Sequence, residues 1–307
     1  MNEKVSVLQV DNLSVSFSMY NKGLSKRDLE VIHELSIDVK KGEIVAVVGS
    51  SGSGKSLLAH AIMGILPENS KTKGSIKYYN DELNEKYLRK VRGKDIAFIP
   101  QSVDFLDPLM KVGKQVVGIN GNKERQKEVF KKYNLDDKVA EMYPFQLSGG
   151  MARRVLIATA VMNEAKLIIA DEPTPGLNLE LAMETLNNFR EIADSGCGVL
   201  LITHDVDLAL NVADRIAVFY SGTIVEIAQV EDFIKGKDAL RHPYSKAFID
   251  ALPQNKIKEL PGYQPYAGNL PKGCLFRDRC SLKTDECCME IKMRKVRDGE
   301  VRCINAT

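Results

Sequence analysis

Residues Gly49 to Ser56 read GSSGSGKS and fit the template G-x-x-x-x-G-K-[ST]. The preceding Glu43 to Val48 (EIVAVV) is a short apolar, β-branched run, while Leu57, Leu58, Ala61, Ile62 and Ile65 follow at helical spacing. Strand, loop and helix are predicted in that order. Glycines let backbone N–H groups curl around a phosphate, the helix N-terminus adds the positive end of its dipole, and Lys55 supplies a point charge. Ser56 is then placed to ligate Mg²⁺. A glycine turn fitting the template by accident would not carry a strand and a helix in register on its two sides.

The 307 residues, 44% of them hydrophobic, suffice for one large domain with an appendage or for two domains. A net charge of +2 gives no sign of a nucleic-acid-binding surface. No apolar run approaches the ~18 residues of a bilayer span. The N-terminus MNEKVSVLQV lacks the charged end and apolar core of a leader. A cytosolic chain, or one docked on a membrane through partners, is expected.

Around the phosphate loop the chain reads in alternating strands and helices. Residues 5 to 17 alternate apolar and polar side chains as a half-buried strand pair or one long bent strand; polar Ser18 to Glu30 separates them from a second alternating run, Val31 to Val39. Phe17, at the end of the first run, is either core or a platform for a base. Further strands are expected at Ser75 to Tyr79 and Ile96 to Pro100, with a basic helical stretch at Tyr87 to Arg92. Ile96 to Pro100 delivers Gln101 to a loop where its amide can reach a metal and a water. Asn120 to Tyr143 reads as a small helical subdomain, followed by LSGGM at Leu147 to Met151 and an Ala-rich helix to Met162. Ser148, Gly149 and Gly150 thus precede a helix N-terminus, either as a simple cap or as an anion site.

Lys166 to Glu172 (KLIIADE) is an apolar strand ending in two carboxylates. Asp171 suits Mg²⁺, and Glu172 suits a base that polarises water for attack on a γ-phosphate. A helix over Leu179 to Ala193 leads to a buried strand, Gly198 to Thr203, which ends at His204, a candidate donor to a γ-phosphate oxygen. Ile216 to Tyr220 and Gly222 to Ile227 then read as a hairpin closing the sheet.

These motifs together resemble the nucleotide-binding subunits of ABC transporters: GSSGSGKS, Gln101, LSGGM, LIIADE and His204 occur in the family's order and spacing over residues 5 to 235. The resemblance implies an α/β fold: a phosphate-loop NTPase core of ABC type with an antiparallel β subdomain, a helical signature subdomain and a small Cys-rich C-terminal extension. It divides the chain into residues 1–235, with the helical subdomain at about 102–163, and residues 236–307. It also implies a head-to-tail dimer, with ATP between the loop Gly49, Ser50, Ser51, Gly52, Ser53, Gly54, Lys55, Ser56 and Leu57 of one subunit and Ser148, Gly149 and Gly150 of the other. Phe17 then stacks on adenine, Gln101 joins Ser56 and Asp171 around Mg²⁺, and Glu172 and His204 are catalytic.

Val112 to Gln115 (VGKQ), Tyr143 to Gly150 (YPFQLSGG), His242-Pro243-Tyr244 and the stretch LPKGCLFRDRC from Leu270 narrow the resemblance to importers of oligopeptides, dipeptides and nickel. The partners so implied are a second ATPase subunit, two integral membrane permease subunits and an extracytoplasmic substrate-binding protein, with no nucleic acid. The location implied is peripheral, at the cytoplasmic side of the cell membrane.

Gln254 to Thr307 has few apolar residues and no sustained periodicity, so a staple is expected. Cys274, Cys280, Cys287 and Cys303 give C-x5-C-x6-C-x15-C, soft thiolates for zinc or an iron–sulfur cluster, or else free thiols. The resemblance favours [4Fe–4S] over zinc. Cys288 adjoins Cys287 as a substitute, and Cys197 reads as a small core hydrophobe. Two departures stand out. Pro175-Gly176-Leu177-Asn178 replaces the family's Ser-Ala-Leu-Asp turn, and Met151 replaces a glutamine. Both fit a heterodimer with unequal sites. Two other readings remain, a soluble ABC ATPase of the iron–sulfur assembly type and a catalytically weak regulatory partner.

Overall fold

The computed structural model describes residues 5–20, 25–118, 121–252 and 260–306. Met1 to Lys4, Asn21 to Leu24, Ile119, Asn120, Pro253 to Glu259 and Thr307, which fall in stretches read above, lie outside the described residues. The chain begins with two long strands, β1 (Ser6–Tyr20) and β2 (Lys26–Lys40), before β3 (Ile44–Val48) and helix α1 (Lys55–Met63). Next come β4 (Ser70–Tyr78), β5 (Asp81–Glu82), α2 (Glu85–Val91) and β6 (Ile96–Ile99). A helical stretch holds α3 (Val112–Val117), α4 (Lys123–Lys132) and α5 (Gly149–Val161). The chain then alternates through β7 (Leu167–Asp171), α6 (Leu179–Asp194), β8 (Gly198–Thr203), α7 (Val206–Leu210), β9 (Arg215–Tyr220) and β10 (Thr223–Gln229). It finishes with α8 (Val230–Lys235), α9 (Pro243–Asp250) and a small hairpin, β11 (Arg294–Val296) and β12 (Gly299–Val301).

Two sheets form, one of order β2-β1-β4-β5 and one of order β11-β12-β10-β9-β3-β8-β7-β6. In the larger sheet β9, β3, β8, β7 and β6 are parallel neighbours. A parallel sheet needs cover on both faces, and β3 shows how the sequence meets that need. Its Ile44, Ala46 and Val48 enter one core, lined by the helical stretch and α6, while Val45 and Val47 enter a second core against the antiparallel sheet and α1. Each of the isoleucine and valine side chains, wholly buried, contributes about 1.5–3 kcal/mol.

Three boundaries differ from the sequence reading. Within the polar stretch Ser18 to Glu30, the described residues 18–20 and 26–30 are strand: Phe17, Met19 and Tyr20 pair with Leu29, Arg27 and Lys26. This end of the ribbon exposes both faces, so no alternation marks it. β4 starts at Ser70, five residues early, because Ser70 to Lys73 pair with Phe17 to Ser14. And α5 begins at Gly149, where the Ser148 hydroxyl caps it by accepting from Met151 N–H at 3.3 Å.

The C-terminal segment is held by the main sheet and by buried polar and ring contacts. Its hairpin extends the main sheet, with Val301 and Glu300 opposite Glu226 and Ile227 of β10. Glu226, wholly buried, accepts from the backbone N–H of Arg241 and of His242, both at 2.8 Å, and pairs with the Arg241 guanidinium. Phe276 packs edge-on against Tyr220 at 5.4 Å. Among the described residues no helix is long and apolar enough to cross a membrane.

Candidate nucleotide site

The carboxyl ends of four adjacent parallel strands carry the site. β3 ends at the Gly49 loop, β8 at His204, β7 at Asp171 and β6 near Gln101, in the spatial order of the sheet. Ligands in open α/β sheets bind at such carboxyl ends. A cavity of about 580 Å³ lined by Lys41, Lys166 and Cys197 lies instead at the amino ends of these strands and holds none of the site residues. Cys197 there is buried, with its thiol pKa pushed up to about 12 by burial.

The loop has the backbone its glycines permit. Gly54 caps α1 in the left-handed region at φ 101°, and a side chain at Gly49 would stand 2.5 Å from the Phe219 carbonyl oxygen. Lys55 is buried, and its Nζ donates to the carbonyls of Gly49 and Ser50 at 2.9 and 2.8 Å. Burial lowers its pKa, opposed by the charges of Glu172 and Asp171. Ser51 and Gly52 are exposed, whereas Ser53 is buried and Ser56 and Leu57 half-buried.

Asp171 is 1% exposed, and its Oδ1 has no hydrogen-bond partner. Burial raises its pKa, against the pull of the Ser56 hydroxyl. A buried, unpartnered carboxylate oxygen beside a hydroxyl is an oxygen donor set that fits Mg²⁺. Glu172 adopts φ 46°, a left-handed conformation costing a non-glycine residue about 1–3 kcal/mol, while its N–H donates to Ile202 O at 2.8 Å. Its two oxygens face different partners. Gln101 Nε2 donates to Oε2 at 3.2 Å, and His204 Nδ1 lies 3.1 Å from Oε1.

The Ser148 to Gly150 turn opens outward: a Cβ built on Gly149 meets nothing within 4 Å. None of the hydrogen bonds among the described residues joins this turn to the Gly49 loop. Phe17 is half-buried on β1 and packs against the second core. Asn178 caps α6 by accepting from Leu181 N–H at 2.9 Å, a role that aspartate and asparagine fill about equally. Arg153 escaped the sequence reading. It rises from α5 and donates from Nη1 to Pro100 O at 2.8 Å and from Nη2 to Gln101 O, tying the helical stretch to the glutamine loop. The arginine pair after LSGGM was the available signal, but nothing in the pattern told which of the two turned inward.

Burial raises the thiol pKa values of Cys274, Cys280 and Cys303, and the charges of neighbouring cysteines, Cys287 among them, add to it. Cys274 N–H donates to Cys287 O at 2.9 Å. Cys288 is exposed and turned to Arg277. Among the described residues no three cysteine, histidine or acidic side chains form a set that could hold a metal ion, so the sulfurs as placed do not fit a cluster without drawing together.

Fold and site define a phosphate-loop nucleotide triphosphatase cassette. The family described as ABC transporter matches residues 32–175, and that described as oligopeptide/dipeptide transporter, C-terminal region, matches residues 225–287. Among curated proteins, the chain is 33% identical to a probable D,D-dipeptide transport ATP-binding protein, DdpD, of Escherichia coli K12, over 97% of this chain and 95% of that protein. It is 34% identical to the dipeptide transport ATP-binding protein DppD of Bacillus subtilis, covering 92% of this chain and 88% of that protein. Among solved structures it is similar to the dimeric structure of MJ0796, a bacterial ABC transporter cassette, at 26% identity and a TM-score of 0.65, covering 73% of this chain and 98% of that one. The chain belongs to the ABC transporter ATP-binding proteins, in the group that carries the oligopeptide/dipeptide transporter C-terminal region.

Proposed function

We propose that this chain is the ATP-hydrolysing subunit of an importer for dipeptides or longer peptides. The observation that carries the reading is the gathering of Lys55, Asp171, Gln101, Glu172 and His204 at four neighbouring strand ends, in a chain with this C-terminal region. The names of the relatives support peptides as cargo, and no nickel or metal-chelate cargo is proposed. The partners are two membrane permease subunits, which hold the chain peripherally at the cytoplasmic side of the membrane, and an extracytoplasmic binding protein that selects the peptide.

In this reading Lys55 leaves the loop carbonyls for the phosphates of ATP, and Glu172 accepts a proton from the attacking water. His204 donates to a γ-phosphate oxygen. Ser56, Gln101 and Asp171 would hold Mg²⁺, which would neutralise charge on the phosphates. Phe17 stacks on the base. The outward-facing Ser148, Gly149 and Gly150 cover ATP held by a second subunit, an arrangement supported by the dimeric form of the similar cassette. Met151 and Asn178 favour a second subunit of different sequence. Residues 1–235 serve as the nucleotide-binding domain, with 102–163 as its helical part, and 236–307 as the extension. Within the extension, the C-x5-C-x6-C-x15-C spacing of Cys274, Cys280, Cys287 and Cys303 is what supports a [4Fe–4S] cluster, with zinc the alternative.

Reconstitution of the copurified complex in proteoliposomes tests the function. ATP hydrolysis should rise when peptide-loaded binding protein is present and follow peptide uptake. Recovery of an active ATPase without membrane subunits, indifferent to peptide, would replace this reading with that of a soluble ABC ATPase.

A further inference from the structure

The second residue of the phosphate loop, Ser50, is held from the C-terminal region. Its hydroxyl donates to Gln264 Oε1 at 3.2 Å. The contact does not come from a loose group. Gln264 sits on a segment fastened on both sides: Arg279 donates to the carbonyls of Leu260 and Pro261 at 3.1 and 2.9 Å, and Ser221 Oγ donates to Pro265 O at 3.3 Å. Arg279 lies between Cys274 and Cys280, so part of the support comes from the Cys-rich segment, more than 200 residues beyond the loop, and part from Ser221 just after β9.

The held residue matters because its carbonyl is one of the two that receive Lys55 Nζ. Fixing the Ser50 side chain fixes the first turn of the loop, and a loop already in its binding shape loses less entropy when phosphate arrives. We propose that Gln264 is a positioning residue of the nucleotide site, so that the C-terminal region sets the chain's affinity for ATP. The inference rests on the nucleotide reading above. It assigns the segment around Gln264 a task at the ATP site.

The test is equilibrium binding of ATP to the full chain, with turnover measured in the reconstituted complex. Gln264→Met keeps the side-chain volume without the acceptor. It should weaken ATP binding about fivefold, the worth of one net hydrogen bond, with kcat at saturating ATP little changed. In a Ser50→Ala background it should weaken binding no further, since its partner is gone. Wild-type affinity in Gln264→Met, or an effect that adds to that of Ser50→Ala, would overturn the proposal. Lys55→Ala separates the two levels. If it abolishes ATP binding while Gln264→Met does not weaken it, only this inference falls; if it leaves binding intact, the nucleotide reading falls.

Discussion

His204 Nδ1 stands 3.1 Å from Glu172 Oε1, so the histidine that ends one strand and the carboxylate that ends its neighbour form a pair. Glu172 is nine-tenths buried and His204 half-exposed, which leaves the imidazole free to turn toward a phosphate while the carboxylate stays fixed by Gln101. Glu172→Gln should bind ATP as the wild type does and hydrolyse it on the order of 100-fold more slowly or worse in its own site. Single-turnover hydrolysis in the complex decides, and wild-type turnover from that site would sink the role.

Arg153 should matter first for the glutamine loop. Arg153→Met strips two carbonyls of their charged donor, and a loss of about 3 kcal/mol in unfolding free energy is expected. Denaturant titration measures it. An unchanged midpoint would mean that water replaces the guanidinium without cost.

Asn178 separates capping from charge. Asn178→Ala should cost about 1 kcal/mol through the lost cap of α6, while Asn178→Asp should keep the cap and gain slightly from the helix dipole. Thermal melts of the three forms check the ranking. A carboxylate that destabilises would point to an acidic neighbour across the dimer.

His242 gives a pH signature. Its Nδ1 accepts from Tyr244 N–H at 3.0 Å, and full burial holds its pKa down at about 3 against an ordinary 6.5. The unfolded chain therefore takes up a proton below 6.5 that the folded chain refuses. This stability is present above pH 6.5 and is lost as pH falls toward 3, at no more than about 1.4 kcal/mol per unit. His242→Gln should flatten that part of the profile; an unaltered slope would show that the imidazole is protonated in the fold.

The cysteine assignment is tested by colour. Anaerobically purified chain should be brown, with absorbance in the blue and bound iron and sulfide. Cys287→Ser should bleach it and Cys288→Ser should not. Zinc without iron in metal analysis would select the alternative.

Much of the site was legible because it is local. GSSGSGKS carries its strand and helix with it, and KLIIADE ends in its own carboxylates. What escaped was decided by partners far away in the chain. RKVRDGEV becomes a hairpin because β10 offers an open edge, and neither three-residue strand has a pattern of its own. Asn178 stands where the family has an aspartate, and its amide oxygen's cap on α6 is visible only once the helix start is fixed in space. Gln264 had no signal at all, since its meaning depends on a serine 214 positions away.

The shared edge of β10 and β12 also bears on how this protein can be cut. A fragment ending near residue 235 would keep every catalytic group yet bare the outer ladder of β10 and strand the Glu226 carboxylate without Arg241. Open strand edges recruit other strands. Such a truncated cassette should stick to itself, and a chimera that swaps tails between relatives would have to carry the matching β10 with it.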